Sequence, residues 1–146
     1  MKILVINGPN INLILLRNKD FYGDIEITMI EERIREYFPE IDFSFYTTNN
    51  ENDIITKIQQ VNNNYDGLVI NPGAFTHTSI GIRDALEICV VPKIEVHLSN
   101  LSDRDEFRKI FLTTSQCDGY ISGVKDISYF AAVFSLIEII KRKRLD

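Results

Sequence analysis

The feature that most constrains this chain is the alternation of strand-like and helix-like segments from one end to the other. Lys2–Asn7 is an apolar run closed by Asn7-Gly8-Pro9-Asn10, a turn signal. Thr28 opens a helix, with Glu31 three residues on in capping-box spacing, and Ile30, Ile34 and Phe38 form its apolar stripe before Pro39 stops it. Asp42–Thr47 alternates Phe43 and Phe45 with polar neighbours, as a strand does. Asn49–Asn63 carries Ile54, Ile55, Ile58 and Val61 on one helical face. Gly67–Asn71 reads as a buried strand, Thr78–Cys89 as a helix and Lys93–Leu98 as a fourth strand. A short helix capped by Ser102 follows over Ser102–Phe111, then a fifth strand, Gly119–Ser122, and a last helix, Asp126–Arg142.

Five βα units in this order predict an α/β fold, a parallel sheet doubly wound by helices on both faces, because crossovers between parallel strands are right-handed. A flavodoxin-like strand order, 2-1-3-4-5, follows. With 146 residues, the chain reads as a single catalytic domain over 1–146. The one long aperiodic stretch, Ile11–Ile27, has the length of a lid or binding loop.

Composition excludes several classes. The net charge of -5 gives no bulk field for nucleic acid or anionic membrane, so neither is an expected partner. The basic run Lys141–Arg144 reads as a solvated helix end. Cys89 and Cys117 are the two cysteines, with no CxxC, and read as reduced core residues. The apolar run Ile3–Ile6 is too short for a signal-peptide core, and Phe130–Ile140 is too short to span a bilayer. A cytoplasmic location is expected.

Ligands of open parallel sheets bind beyond the carboxyl ends of the strands. Here those ends are polar: Asn7–Asn10 after strand one, Asn71–Thr78 after strand three, and Glu95–Asn100 at the end of strand four. Both histidines of the chain, His77 and His97, fall in this set. No GxGxxG or GxxxxGK[ST] loop is present. Two histidines without a third ligand make a poor zinc site, and no serine sits in a GxSxG elbow. What remains is acid–base chemistry by His, Tyr and Arg around a polar ligand.

At this point the sequence resembles the type II 3-dehydroquinate dehydratases. The resemblance runs from Lys2 to about Tyr129 through Asn7-Gly-Pro-Asn-Ile-Asn12, Arg17 with Tyr22-Gly23, and Asn71-Pro-Gly73-Ala-Phe-Thr-His77-Thr-Ser79. It continues through Arg83-Asp84-Ala85, Glu95-Val-His97-Leu-Ser99-Asn100 and Arg104 with Phe107-Arg108. The family converts 3-dehydroquinate to 3-dehydroshikimate in the shikimate pathway of aromatic amino acid biosynthesis. It uses no metal or cofactor and assembles as homododecamers built from trimers.

The resemblance implies roles. Tyr22 would be the base; an ordinary tyrosine, with pKa ~10, is only ~0.1% phenolate near pH 7, and Arg17 in the same loop supplies a cation to favour that form. His97 would be the general acid. Glu95, two residues upstream and so on the same strand face, would orient it. Asn10 would hold a water that stabilises the enolate. Leu98 and Ser99 would bind the carboxylate through backbone N–H groups and the hydroxyl, with Asn71, Gly73, His77 and Arg108 around the ring. Arg104 and Arg108, four apart on one expected helix, would share a face. Asp84 would reach a neighbouring subunit's site.

The chain departs from the family pattern at Leu15, where a Gly is expected, at Asn18-Lys19 in the lid, at Ser102, where a His is expected, and around Lys125 and Ser128. The competing readings are a catalytically silent relative and a flavodoxin-like binding module. A phospho-receiver would need acidic residues where Asn7 and Asn10 stand, and an FMN module would need a Ser/Thr/Gly phosphate loop there. The last helix, apolar around most of its circumference, suggests that more than one sheet face covers it, and hence an oligomer.

Overall fold

The computed structural model describes residues 1–145. Its five strands, β1 (Lys2–Asn7), β2 (Asp42–Thr47), β3 (Gly67–Asn71), β4 (Lys93–His97) and β5 (Gly119–Ser122), form one parallel sheet in the order β2-β1-β3-β4-β5. The expected 2-1-3-4-5 topology is therefore present. Strands β1, β3 and β4 are buried on both faces because both faces are covered, and β4 carries charged and polar side chains, Lys93, Glu95 and His97, on one of them. Side chains alternate along β1: Ile3 and Val5 join a core under α2 (Ile27–Tyr37) and α5 (Ile127–Lys143). Leu4 and Ile6 join the opposite core under α3 (Glu51–Asn64) and α4 (Ile80–Ile88). Each isoleucine fully buried in these layers contributes about 1.5–3 kcal/mol relative to exposure.

Helix starts follow local capping chemistry, in places one or two residues from the sequence reading. Asn50 accepts from the Asn52 N–H at 2.9 Å and begins α3. Ser79 accepts from the Ile82 N–H at 2.9 Å and begins α4. The capping box at Thr28 does not form: α2 starts one residue earlier, where Ile27 joins the core, and the Thr28 hydroxyl instead meets the Glu26 carboxylate at 3.5 Å.

Two segments differ more. The Ile11–Ile27 stretch holds a 3-10 stretch, Ile11–Leu16, and a one-turn helix, α1 (Lys19–Tyr22), capped by Asn18. Ser102–Phe111 is not a helix but two 3-10 turns, Leu101–Asp103 and Glu106–Lys109, with Arg104 extended between them (φ -115°, ψ 178°). Only Leu101 of the two turns is buried, while Phe107 and Ile110 are exposed, so no apolar stripe holds a continuous helix there. The Asn100 side chain, rather than Ser102, closes the first turn by accepting from the Ser102 N–H at 3.2 Å.

Helix α5 buries Tyr129, Ala132, Val133, Leu136, Ile137 and Ile140 within its own domain, chiefly against β4 and β3. Much of its apolar circumference is thus accounted for internally. Ile127 and Phe134 stay exposed and, with Tyr37, Phe38 and Phe130, line an apolar groove between α2 and α5. Among the described residues both cysteines are free thiols, Cys89 buried and Cys117 half-buried, and no helix is long and apolar enough to cross a membrane.

Candidate active site

The carboxyl ends of β1, β3 and β4 open onto one cavity of about 90 Å³. Backbone geometry shapes its floor. Asn10 turns the chain after β1 with φ 66°, a left-handed conformation that asparagine tolerates. Gly8 lies so close to the loop after β3 that a Cβ there would sit 2.5 Å from the Pro72 carbonyl oxygen. Gly73, at φ +58°, donates its N–H to Asn71 Oδ1 at 3.0 Å. These contacts bring the two strand-end loops side by side.

The segment after β1 folds over this floor and brings Arg17 and Tyr22 to the cavity wall. Tyr22 is buried, and its phenol oxygen accepts a hydrogen bond from Arg17 Nη2. The Arg17 guanidinium also lies 3.9 Å from the Tyr22 ring centroid. A second guanidinium reaches the same oxygen: Arg104 Nη1 donates to Tyr22 Oη at 2.9 Å, and contacts Ser99 Oγ at 3.1 Å. Two cations on one phenol oxygen stabilise negative charge there. Burial lowers the Arg17 guanidinium from its ordinary pKa; the Tyr22 charge opposes this, and Arg104 and Arg108 add to it.

The second constellation comes from β4. Alternation along the strand puts Glu95 and His97 on one side, and His97 Nε2 meets Glu95 Oε1 at 2.6 Å. The carboxylate accepts, so Nε2 carries the proton and Nδ1 is the ring's other nitrogen. Glu95 is fully buried, and burial alone would raise its pKa. The hydrogen bond and charge of His97, with hydroxyls of Thr76 and Thr113, outweigh it and hold the carboxyl below its ordinary value.

His77 is tied differently. Its Nδ1 lies 2.6 Å from the Ile110 carbonyl, which can only accept, so this ring has the opposite tautomer. Burial is the main cause that lowers its pKa from 6.5, with His97 and Arg108 adding to it, so the ring is neutral at pH 7. Asn71 is held by Tyr129: Asn71 Nδ2 donates to the Tyr129 hydroxyl at 2.9 Å, which donates to Asn7 Oδ1 at 2.6 Å. Burial pushes the Tyr129 phenol up, so it stays protonated and rigid.

The structure thus gathers Asn10, Arg17, Tyr22, Asn71, Gly73, His77, His97, Leu98, Ser99 and Arg108 around one cavity, with Glu95 directly behind His97. Asp84 is not among them: it lies on α4 with its side chain largely exposed, 3.9 Å from Arg83. Arg104 reaches the cavity from the extended link between the two turns and Arg108 from the second turn, rather than both from one helix face. The buried Nε of Arg108 makes no hydrogen bond among the described residues and lies 3.5 Å from Asp105 Oδ2. Three guanidiniums in a protein of net charge -5 make this a local positive site suited to a carboxylate or another small anion.

Sequence reasoning missed the contact of Arg104 with Tyr22, the hydroxyls around Glu95, and the Asn7–Tyr129–Asn71 chain. One signal for the second was available: a glutamate inside an apolar strand needs donors, and hydroxyl residues flank the neighbouring segments. Among the described residues no cluster of His, Cys, Asp and Glu could hold a metal ion.

Fold and site define the class: a doubly wound α/β protein carrying an acid–base constellation of tyrosine, arginine, histidine and glutamate at the carboxyl edge of its sheet. The chain belongs to the class II dehydroquinase family, which matches residues 1–137. It is 44% identical to a 3-dehydroquinate dehydratase of Thermotoga petrophila, over 98% of this chain and 96% of that protein. Its fold matches the type II dehydroquinase of Butyrivibrio crossotus with a TM-score of 0.89 and 46% identity, covering 93% of this chain and 97% of that one. It likewise matches the enzyme of Propionibacterium acnes, with a TM-score of 0.87 and 34% identity over 93% and 96% of the two chains.

Proposed function

We propose that this chain is a type II 3-dehydroquinate dehydratase of the shikimate pathway that removes water through an enolate, with Tyr22 as base and His97 as acid. The observation that carries the reading is the Tyr22 oxygen gripped by Arg17 and Arg104 in a cavity shared with the Glu95-paired His97. In the first step the Tyr22 phenolate takes a proton α to the ketone, and the electron pair moves onto the carbonyl oxygen. A water held by Asn10 donates a hydrogen bond to that enolate. The enolate then expels the β-hydroxyl, which takes a proton from the His97 imidazolium and leaves as water. Tyr22 has gained one proton and His97 has lost one, so proton exchange with solvent restores both.

Binding follows the charge of the site. Leu98 and Ser99 at the end of β4, with the nearby Arg104, suit the substrate carboxylate. Asn71, Gly73, the neutral His77 and Arg108 suit the ring hydroxyls. No step uses a cofactor. The protein works in the cytoplasm as a homododecamer of trimers, and Asp84 serves the site of an adjacent protomer. Its position outside its own cavity supports that role, and the exposed apolar groove between α2 and α5 supports self-association.

Addition of 3-dehydroquinate to the purified protein tests this reading. A rise in ultraviolet absorbance from the conjugated enone is expected, and its absence would contradict the proposal.

A further inference from the structure

Glu95 is the most completely enclosed ionised group of the site. It is 0% exposed, and the histidine it holds occupies one of its oxygens. Three threonines from two other segments supply further donors to the carboxylate. Thr76, in the 3-10 turn after β3, lies 2.6 Å from Glu95 Oε1. Thr114 lies 2.9 Å from the same oxygen, and Thr113 lies 2.8 Å from Oε2.

Each hydroxyl has one proton to give. Thr113 Oγ1 also lies 2.9 Å from Thr76 Oγ1, but its single proton cannot serve both neighbours, and Thr76 has its own to donate. Assigning all three protons to the carboxylate satisfies every group, with the His97 Nε2–H as fourth donor. Thr76 and Thr113 are themselves fully buried, so no water substitutes for them. The Thr113–Thr114 segment is docked independently by the backbone, where the Leu112 N–H donates to the Thr76 carbonyl at 2.7 Å. The hydroxyls are therefore not needed to hold the segment in place.

We infer that Thr76, Thr113 and Thr114 form a hydroxyl cradle that fixes the Glu95 carboxylate, and through it fixes the tautomer and angle of the His97 imidazole. They are positioning residues for the acid step. The inference rests on the proposed role of His97 for its kinetic consequence, but its structural consequence stands apart from any activity. A carboxylate that loses one of its three hydroxyl anchors can rotate about its Cγ–Cδ bond. The imidazole then loses a fixed partner for Nε2–H, and Nδ1 loses its aim at the leaving hydroxyl. The other ionisable groups with charge felt at this pair are His77 and Cys117 at Glu95, and His77 at His97; none of them bonds to the carboxylate.

Three variants and two readouts test this. Thr113→Val keeps the shape and removes the hydroxyl; Thr113→Ser keeps the hydroxyl. Thr114→Val repeats the deletion at a half-buried position that tolerates it more easily. For turnover of 3-dehydroquinate, kcat of Thr113→Val is expected to fall roughly tenfold, with KM changed by less than about twofold. Thr113→Ser is expected to recover most of the loss. The second readout is solid-state NMR of protein labelled with 15N-histidine. The chain has only two histidines, so two ring signatures are expected. His77 gives the Nδ1–H tautomer and serves as reference, and His97 gives the Nε2–H tautomer when its ring is neutral.

In Thr113→Val or Thr114→Val the His97 signature is expected to broaden or mix tautomers while that of His77 stays fixed. An unchanged His97 signature in both valine variants would overturn the cradle. So would a Thr113→Ser variant as impaired as Thr113→Val, since that outcome marks packing rather than the hydroxyl. Wild-type protein inert toward 3-dehydroquinate would defeat the proposed function instead, and the NMR comparison would still decide the cradle.

Discussion

Arg104 Nη1 donates to the phenol oxygen of Tyr22 at 2.9 Å, although 82 residues separate the two in the chain. The contact exists because the segment after β4 breaks into two 3-10 turns, and the extended backbone between them swings Arg104 toward the lid. Tyr22 thus receives one guanidinium from its own loop and one from the far side of the cavity.

Arg104→Ala is expected to lower kcat by at least tenfold, because the buried Tyr22 oxygen, the proposed base, loses one of its two guanidinium partners. Arg104→Lys is expected to recover only part of it, as an ammonium cannot reach Tyr22 and Ser99 with the same planar geometry. Steady-state kinetics decide this; Arg104→Ala at wild-type kcat would remove Arg104 from the mechanism.

Tyr129→Phe removes the hydroxyl that ties Asn7 to Asn71. Two buried amides then lack a partner, which costs about 1–3 kcal/mol of stability. Asn71 loses its fixed orientation in the binding cavity, so KM is expected to rise more than kcat falls. Denaturant unfolding and kinetics on the same sample check both halves.

The fold was legible in the sequence to the level of strand order, because strands alternate with helices along the whole chain and the central strands β1 and β3 are apolar on both faces, as a doubly covered parallel sheet requires. The site was legible where chemistry and strand ends coincide: Asn10, Asn71, His77 and His97 lie within a few residues of a strand end. What escaped was set by non-local geometry. Arg104 could not be paired with Tyr22 without knowing that residues 102–111 fail to form a helix, and helix periodicity placed it beside Arg108 instead. The capping box at Thr28 failed because burial of Ile27 outweighs the local capping preference. The threonines around Glu95 come from segments far apart in sequence, and nothing local marks Thr113 as a partner of residue 95.

Stability should depend on pH through Glu95. Its carboxyl is held below the ordinary value of 4.5, so the unfolded chain binds the proton more tightly than the folded one. The contribution is fully present above about pH 4.5 and is lost as pH falls through the lower folded value. His77, held below 6.5, acts in the same direction: as pH drops below 6.5 the unfolded chain takes up a proton that the folded chain resists. Urea unfolding from pH 3 to 8 should therefore show stability falling from pH 6.5 downward. Glu95→Gln should be less stable than wild type at pH 7, with the gap narrowing below pH 4.5. A gap that widens with acid would contradict the assignment.

Assembly can be tested through the proposed sharing of Asp84 between protomers. Asp84→Asn and Tyr22→Phe chains are each expected to be weak alone and to regain activity when co-assembled, because some sites then receive both intact residues. Light scattering on wild-type protein is expected to give a mass well above a dimer. An active species at monomer mass would end this part of the account.

The central claim is that Tyr22 and His97 perform acid–base dehydration of 3-dehydroquinate. The most direct test follows enone absorbance after adding 3-dehydroquinate to wild type, Tyr22→Phe and His97→Gln at equal concentration, with folding checked by circular dichroism. The account predicts turnover by wild type and a loss of roughly 10²-fold or more in each variant. A wild type that leaves the substrate unchanged, or a folded Tyr22→Phe that turns it over at the wild-type rate, would contradict it.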